Sequence, residues 1–236
     1  MASLTPCFIL HQRPYRETSL LLDVLSQQFG RVSLIAKGVR KQKRSQMGLY
    51  QLYQPLLIAW TGRGELQTLT QLETMAPRYI LQAESALCGL YINELMVKLW
   101  PLHVAEEGIF SIYQDALESL QKKENTQSAL RLFEKRLLSQ LGYGLVLDRE
   151  FESGELIEEE HQYYYQADAG LVRWHPGQRQ AAISGRSLQH LTNETDFDAK
   201  SLQEIKQMMR SVLNFYLGGK PLQSRQLFTE LHRLKK

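Results

Sequence analysis

The stretch GRVSLIAKGVRKQKRSQMG, residues 30–48, begins as a strand and ends as a basic loop. Val32, Leu34 and Ala36 alternate with Ser33, Ile35 and Lys37, the period of two of a half-buried strand. Gly38 breaks the strand, and Lys37, Arg40, Lys41, Lys43 and Arg44 place five cations within eight residues. No acidic residue lies between Asp23 and Glu65, so nothing inside the loop neutralises that charge. A phosphate backbone is the usual partner of so dense a cluster, and a solvated basic turn is the bland alternative.

Working outward, residues 7–12 (CFILHQ) and 18–26 (TSLLLDVLS) read as strands separated by a turn at Arg13-Pro14-Tyr15. Residues 55–61 (PLLIAWT) and 65–75 (ELQTLTQLETM) supply two more, joined by a hairpin at Gly62-Arg63-Gly64. Leu66, Leu69 and Leu72 miss strict alternation, so a bulge is expected in the fifth strand. Five short strands before Pro77 predict a small closed barrel, for which the OB-fold is the natural five-stranded choice.

Beyond Pro77 the apolar spacing becomes helical, over residues 79–102, 108–121 and from Asn125-Thr126 to a stop at Gly142. Residues 145–184 are irregular, with turn points at Gly154, Gly170 and Gly177, and helices resume at 187–191, 199–217 and 224–234. The chain is therefore expected to be α+β. A barrel would occupy residues 1–78, and a mainly helical domain residues 79–236, interrupted by an irregular β/loop segment at about 145–184.

Net charge is +3, but it is unevenly spread: residues 1–80 carry +6, residues 81–199 carry −9 and residues 200–236 carry +6. Such basic ends suit polyanion contact on particular faces. Cys7 and Cys88 stand in apolar surroundings and read as buried thiols of a reducing compartment. No basic leader with a long apolar run opens the chain, and no stretch approaches the ~20 apolar residues of a membrane span. A soluble cytosolic protein is expected.

Catalytic signatures are scarce. The six histidines are scattered, and neither HExxH nor Cys-x-x-Cys occurs. Glu158-Glu159-Glu160 beside His161 reads as a solvated acidic run, and Ser184-Gly185-Arg186-Ser187 as a turn with Ser187 capping a helix. Gly62-Arg63-Gly64 lacks the Lys-Ser/Thr of a phosphate-binding loop. Tyr50, Tyr53 and Trp60 follow the basic stretch and either stack on unpaired bases or fill the barrel.

Several phrases, in order, resemble the bacterial RecO family of DNA repair and recombination proteins. They are ETSLLLDVLS, GRVSLIAKGVRK, GRGELQTLTQLE, LYINELMVKLWP, LRLFEKRLLSQLGYGLVLD and FYLGGKPLQSRQLF, which together span almost the whole chain. The resemblance implies an N-terminal OB-fold followed by a helical domain. It implies a non-catalytic mediator that binds single- and double-stranded DNA, anneals complementary strands and, with RecR, helps RecA replace the single-strand binding protein SSB. Many relatives carry a four-cysteine zinc module, but residues 147–175 contain no cysteine, so no metal and no cofactor is expected. The family also recognises the acidic, phenylalanine-ended tail of SSB, and Arg131 in LRLFEKRLL matches a position implicated there. On spacing alone Arg131 reads as an exposed helix arginine paired with Glu134.

The DNA contacts expected from charge are Arg31, Lys37, Arg40, Lys41, Lys43, Arg44 and Arg63, with Arg131 for the SSB tail. The expected partners are DNA, RecR and SSB, for a monomer in the cytoplasm at the nucleoid and without a membrane role. An RNA- or ribosome-associated barrel protein is the alternative, and a metal-dependent nuclease using the acidic middle is a third reading.

Overall fold

The computed structural model describes residues 3–41, 48–122 and 125–234, the side chains of 231, 232 and 234 excepted. Five strands form a closed barrel in the order β1-β2-β3-β5-β4: β1 Thr5–Tyr15, β2 Ser19–Ser26, β3 Gly30–Ala36, β4 Leu56–Thr61 and β5 Leu66–Thr74. All pairs are antiparallel except β3 with β5, which run parallel from Ser33 opposite Leu66 to Ile35 opposite Thr68. The alternation read in residues 30–36 holds, with Val32, Leu34 and Ala36 buried beside Ile9, Leu22, Val24, Leu56 and Ile58. The expected bulge is present: Ala59 faces Gln71 and Trp60 faces Leu69, which leaves Thr70 as the extra residue of β5.

A second irregularity decides what packs outside the barrel. Ile9 faces Val24 and His11 faces Asp23, so Leu10 is the extra residue of β1. Its carbonyl, freed from the ladder, accepts a 2.8 Å hydrogen bond from the Asn93 side-chain amide of helix α1, Glu84–Leu99. Asn93 Oδ1 in turn accepts from the Tyr113 hydroxyl of α2, Ile109–Lys122, at 2.7 Å. Phe8, pointing away from the barrel interior, meets Phe110 and Tyr113 with ring centroids 5.2 and 5.1 Å apart. The run Cys7-Phe8-Ile9-Leu10 is apolar on both faces because both faces are covered.

The first helix begins five residues later than the periodicity suggests. Residues 79–82 are not helical, with Tyr79 N–H bonded to Tyr53 O and Ile80 N–H to Gln121 Oε1, and Ala83 takes φ +50° before the helix starts. Pro101 ends it by holding Trp100 extended, at φ −79° and ψ 122°. The following loop returns to β3: His103 N–H donates to Arg31 O at 2.8 Å, and a Cβ at Gly30 would lie 1.9 Å from Val104 O. Helix α6, Gln223–Leu234, is anchored to α1 through Glu94, whose carboxylate accepts from Gln223 N–H and Ser224 N–H, both at 2.9 Å, and from Ser224 Oγ at 2.6 Å. One compact unit thus comprises Met1–Glu124 with Leu222–Lys236, and the other Asn125–Pro221. The division expected at residue 78 marks a change of secondary structure, and packing runs across it.

In the second unit, α3 (Thr126–Gln140), α4 (Gly185–Asn193) and α5 (Ala199–Tyr216) accompany a three-stranded sheet of order β7-β6-β8. Its strands are β6 Gln162–Gln166, β7 Gly170–Arg173 and β8 Ile183–Ser184. Asn125 caps α3 by accepting from Ser128 N–H, as its position predicted. Gly142 and Gly218, both at positive φ, close α3 and α5 with paired bonds to the last turns: Gly142 N–H to Ser139 O and Tyr143 N–H to Leu138 O, then Gly218 N–H to Phe215 O and Gly219 N–H to Asn214 O. At α4 the cap is Ser184 and not Ser187; Ser184 Oγ accepts from Ser187 N–H, and both hydroxyls donate to Glu204.

Candidate nucleic-acid interface

The basic stretch leaves β3 through a single 3-10 turn, Val39–Lys41, in which Val39 plugs the barrel interior while Arg40 and Lys41 stay exposed with Lys37. Arg40 N–H donates to Thr18 O at 2.9 Å, and its guanidinium donates to Arg16 O and Glu17 O, each at 3.2 Å. These acceptors are neutral, so the charge of Arg40 remains while its position is fixed. They belong to the β1–β2 hairpin, which carries two further exposed cations, Arg13 and Arg16, the latter 5.3 Å over the Tyr15 ring. Arg13, Arg16, Lys37, Arg40 and Lys41 therefore share one rim of the barrel, and none forms an ion pair among the described residues. Charge density along the sequence misses Arg13 and Arg16. The signal was topological: in an antiparallel β1-β2-β3 meander the first turn lies beside the end of the third strand.

Arg31 does not belong to that rim, which corrects the expectation from charge. Its guanidinium meets Asp23 at 3.1 Å, its Nε donates to Trp100 O at 2.7 Å, and its side chain is 13% exposed. Burial alone would raise the Asp23 carboxyl, but hydrogen bonding to His11 and the charge of Arg31 outweigh it and hold its pKa below the usual value. Arg63 is exposed but stands in the β4–β5 turn, three residues before Leu66, which lies beside Ser33 at the middle of β3. Lys37 follows the end of β3, on the order of 20 Å away along the strand direction. Lys43 and Arg44 lie outside the described residues.

Arg131 is also not presented to solvent. It is 5% exposed and bonded to Glu134 Oε1 at 2.8 Å, so the pair that the spacing suggested exists but is buried. Lys135, its neighbour on α3, closes α4 by donating to Leu191 O at 2.8 Å and Thr192 O at 3.0 Å, and pairs with Glu194 at 3.2 Å. Lys220 is exposed, whereas Arg225 lies over the Tyr91 ring and donates to its hydroxyl.

The aromatic residues divide. Tyr50 and Tyr53 are buried, and burial pushes the Tyr53 hydroxyl well above its ordinary pKa. Trp60 is half-buried and meets Phe29 edge-on at 5.4 Å, and Phe29 is 47% exposed. A cleft of about 300 Å³ opens beside the cationic rim, lined by Ala36, Lys37, Leu49, Tyr50 and residues 68–72.

The acidic run of the second unit is partly engaged: Glu158 meets His161 at 3.2 Å, and Arg173 meets Glu150 at 3.0 Å. Among the described residues no three His, Cys, Asp or Glu side chains are grouped to hold a metal, and Cys7 and Cys88 are separate buried thiols. No described helix is long and apolar enough to cross a membrane.

A closed five-stranded barrel with a helical C-terminal part defines an OB-fold protein of the α+β class. Residues 1–78 match the family model of the N-terminal part of recombination protein O, and residues 81–226 that of its C-terminal part. The chain belongs to the RecO family of DNA repair proteins. It is 44% identical over 232 residues to DNA repair protein RecO of Nitrosococcus oceani, covering 98% of this chain and 94% of the relative. The protein of the same name from Coxiella burnetii is 40% identical over 225 residues, covering 95% and 97%, and that from Methylococcus capsulatus 40% identical over 221 residues, covering 94% and 90%.

Proposed function

We propose that this chain is a non-catalytic recombination mediator that holds DNA on the rim formed by Arg13, Arg16, Lys37, Arg40 and Lys41, with Lys43 and Arg44, outside the described residues, as further phosphate contacts. The carrying observation is that two separate elements, the β1–β2 hairpin and the turn after β3, are tied together by Arg40 so that five cations without an ion pair among the described residues share one edge. Such a surface releases condensed counterions on binding phosphates, and two strands held on it repel each other less, so complementary segments pair. Family membership supports the further reading that the protein acts with RecR to let RecA displace SSB. A carboxylate of the SSB tail would reach Arg131 only by displacing Glu134, so tail recognition is assigned to no residue.

The test is the salt dependence of binding to a single-stranded oligonucleotide. Replacing Lys37 and Lys41 by Ala should reduce the slope of log K against log salt by about 1.4, since each phosphate contact on single strands contributes roughly 0.7. An unchanged slope in a folded variant removes the rim from the footprint. Equal-sequence RNA bound more tightly than DNA would favour the alternative RNA-associated role.

A further inference from the structure

The parallel pairing that closes the barrel is short. Beyond Ile35 opposite Thr68, β5 stays with β4 through Thr74, and no described residue continues its pairing on the β3 side. The cleft lies in the wedge where the two strands part. One wall is apolar, because Leu49, Leu69 and Leu72 pack on the barrel core with Tyr50 behind them. The polar lining of the cleft comes from Thr68, Thr70 and Gln71, whose side-chain amide donates to Glu73 at 2.7 Å. Thr70 is the bulged residue, so the strand bends at the polar lining. Lys37 lies at the junction of cleft and rim.

We propose that this cleft receives one unpaired nucleobase of a strand whose phosphates lie on the cationic rim, an inference that rests on the DNA-binding reading above. A base is flat, apolar on its faces and rich in donors and acceptors at its edge, which matches a leucine wall and a polar lining of Thr and Gln. The volume stands at the lower end of the range of small-ligand sites, about 300–1,000 Å³. Lys37 supplies the cation that the attached phosphate requires. A base stacked and paired in duplex cannot enter, so the cleft adds a term for single strands that the rim alone does not supply. An extended peptide could pair with the β5 edge that no described residue pairs beyond Thr68, but the adjoining cations favour a polyanion.

The full chain is titrated, at one salt concentration, with three labelled ligands of equal phosphate number: a mixed-sequence single strand, the same strand made abasic throughout, and a duplex. The natural strand should bind about tenfold more tightly than the abasic one, as expected for one ordered base. Gln71→Trp, an exposed position on the cleft, should abolish that difference and leave the abasic strand and the duplex unchanged. Thr70→Val, which keeps the volume and removes the hydroxyl, should reduce it. Equal wild-type affinity for natural and abasic strands overturns the proposal whatever the variants do, and is also the result if a peptide is the occupant. Binding to none of the three overturns the rim reading itself, a distinguishable result.

Discussion

At Arg31 the guanidinium is committed twice, to the Asp23 carboxylate and to the Trp100 carbonyl, whereas Lys41, ten residues on, faces solvent. Arg31→Ala should therefore lower stability by about 2–3 kcal/mol, because Asp23 loses its cation and a part-buried carbonyl its donor. It should leave the salt slope of DNA binding unchanged; a reduced slope with an unchanged melting temperature would return Arg31 to the footprint. Glu94 makes a separate prediction. Burial alone would raise its pKa, but its bonds from Ser224, Gln223 and Lys98 outweigh that and hold it below the ordinary value. A carboxyl lowered on folding adds stability above its unfolded pKa, about 4.3, and loses it as pH falls through the folded value. Glu94→Gln should cost about 1–2 kcal/mol at pH 7, and wild type and variant should converge in denaturant titrations as pH falls below the unfolded value and through the lowered folded one. A constant gap across that range would contradict the assignment.

At the scale of elements, the strands were legible because burial on a closed barrel imposes period two, as at Val32, Leu34 and Ala36. The bulge in β5 was legible from its broken leucine spacing. The start of α1 was not, since apolar periodicity continues through residues 79–83 while Tyr53 and Gln121 accept the N–H groups of Tyr79 and Ile80 from distant parts of the chain. Asn93 carries the link between barrel and helices, and nothing in sequence distinguishes it from a surface polar residue. Asn93→Ala should leave Leu10 O and the buried Tyr113 hydroxyl unbonded and cost about 2–4 kcal/mol, read as the denaturation midpoint at unchanged m-value. A loss below 0.5 kcal/mol, on the order of a surface substitution, would show that this bridge does not hold the helices to the barrel.

Across the whole molecule, strand pairing regroups the cations that stand close together in the N-terminal sequence. Lys37, Arg40 and Lys41 stay together, Arg31 turns inward, Arg63 goes to the other end of the barrel, and Arg13 and Arg16 join from the first hairpin. Linear charge density cannot see that regrouping, because strand pairing makes it. Arg131 shows the same limit, since helical spacing gave its partner Glu134 but not the burial of both. The most direct test of the account is strand annealing. Complementary oligonucleotides coated with SSB are mixed with wild type or with a variant in which Arg13, Arg16, Lys37 and Lys41 are all replaced by Ala. Wild type should anneal them, and the folded variant should do so at least about tenfold more slowly, with the deficit present also on bare strands. Annealing at the wild-type rate by the folded variant would contradict the proposed role of the rim.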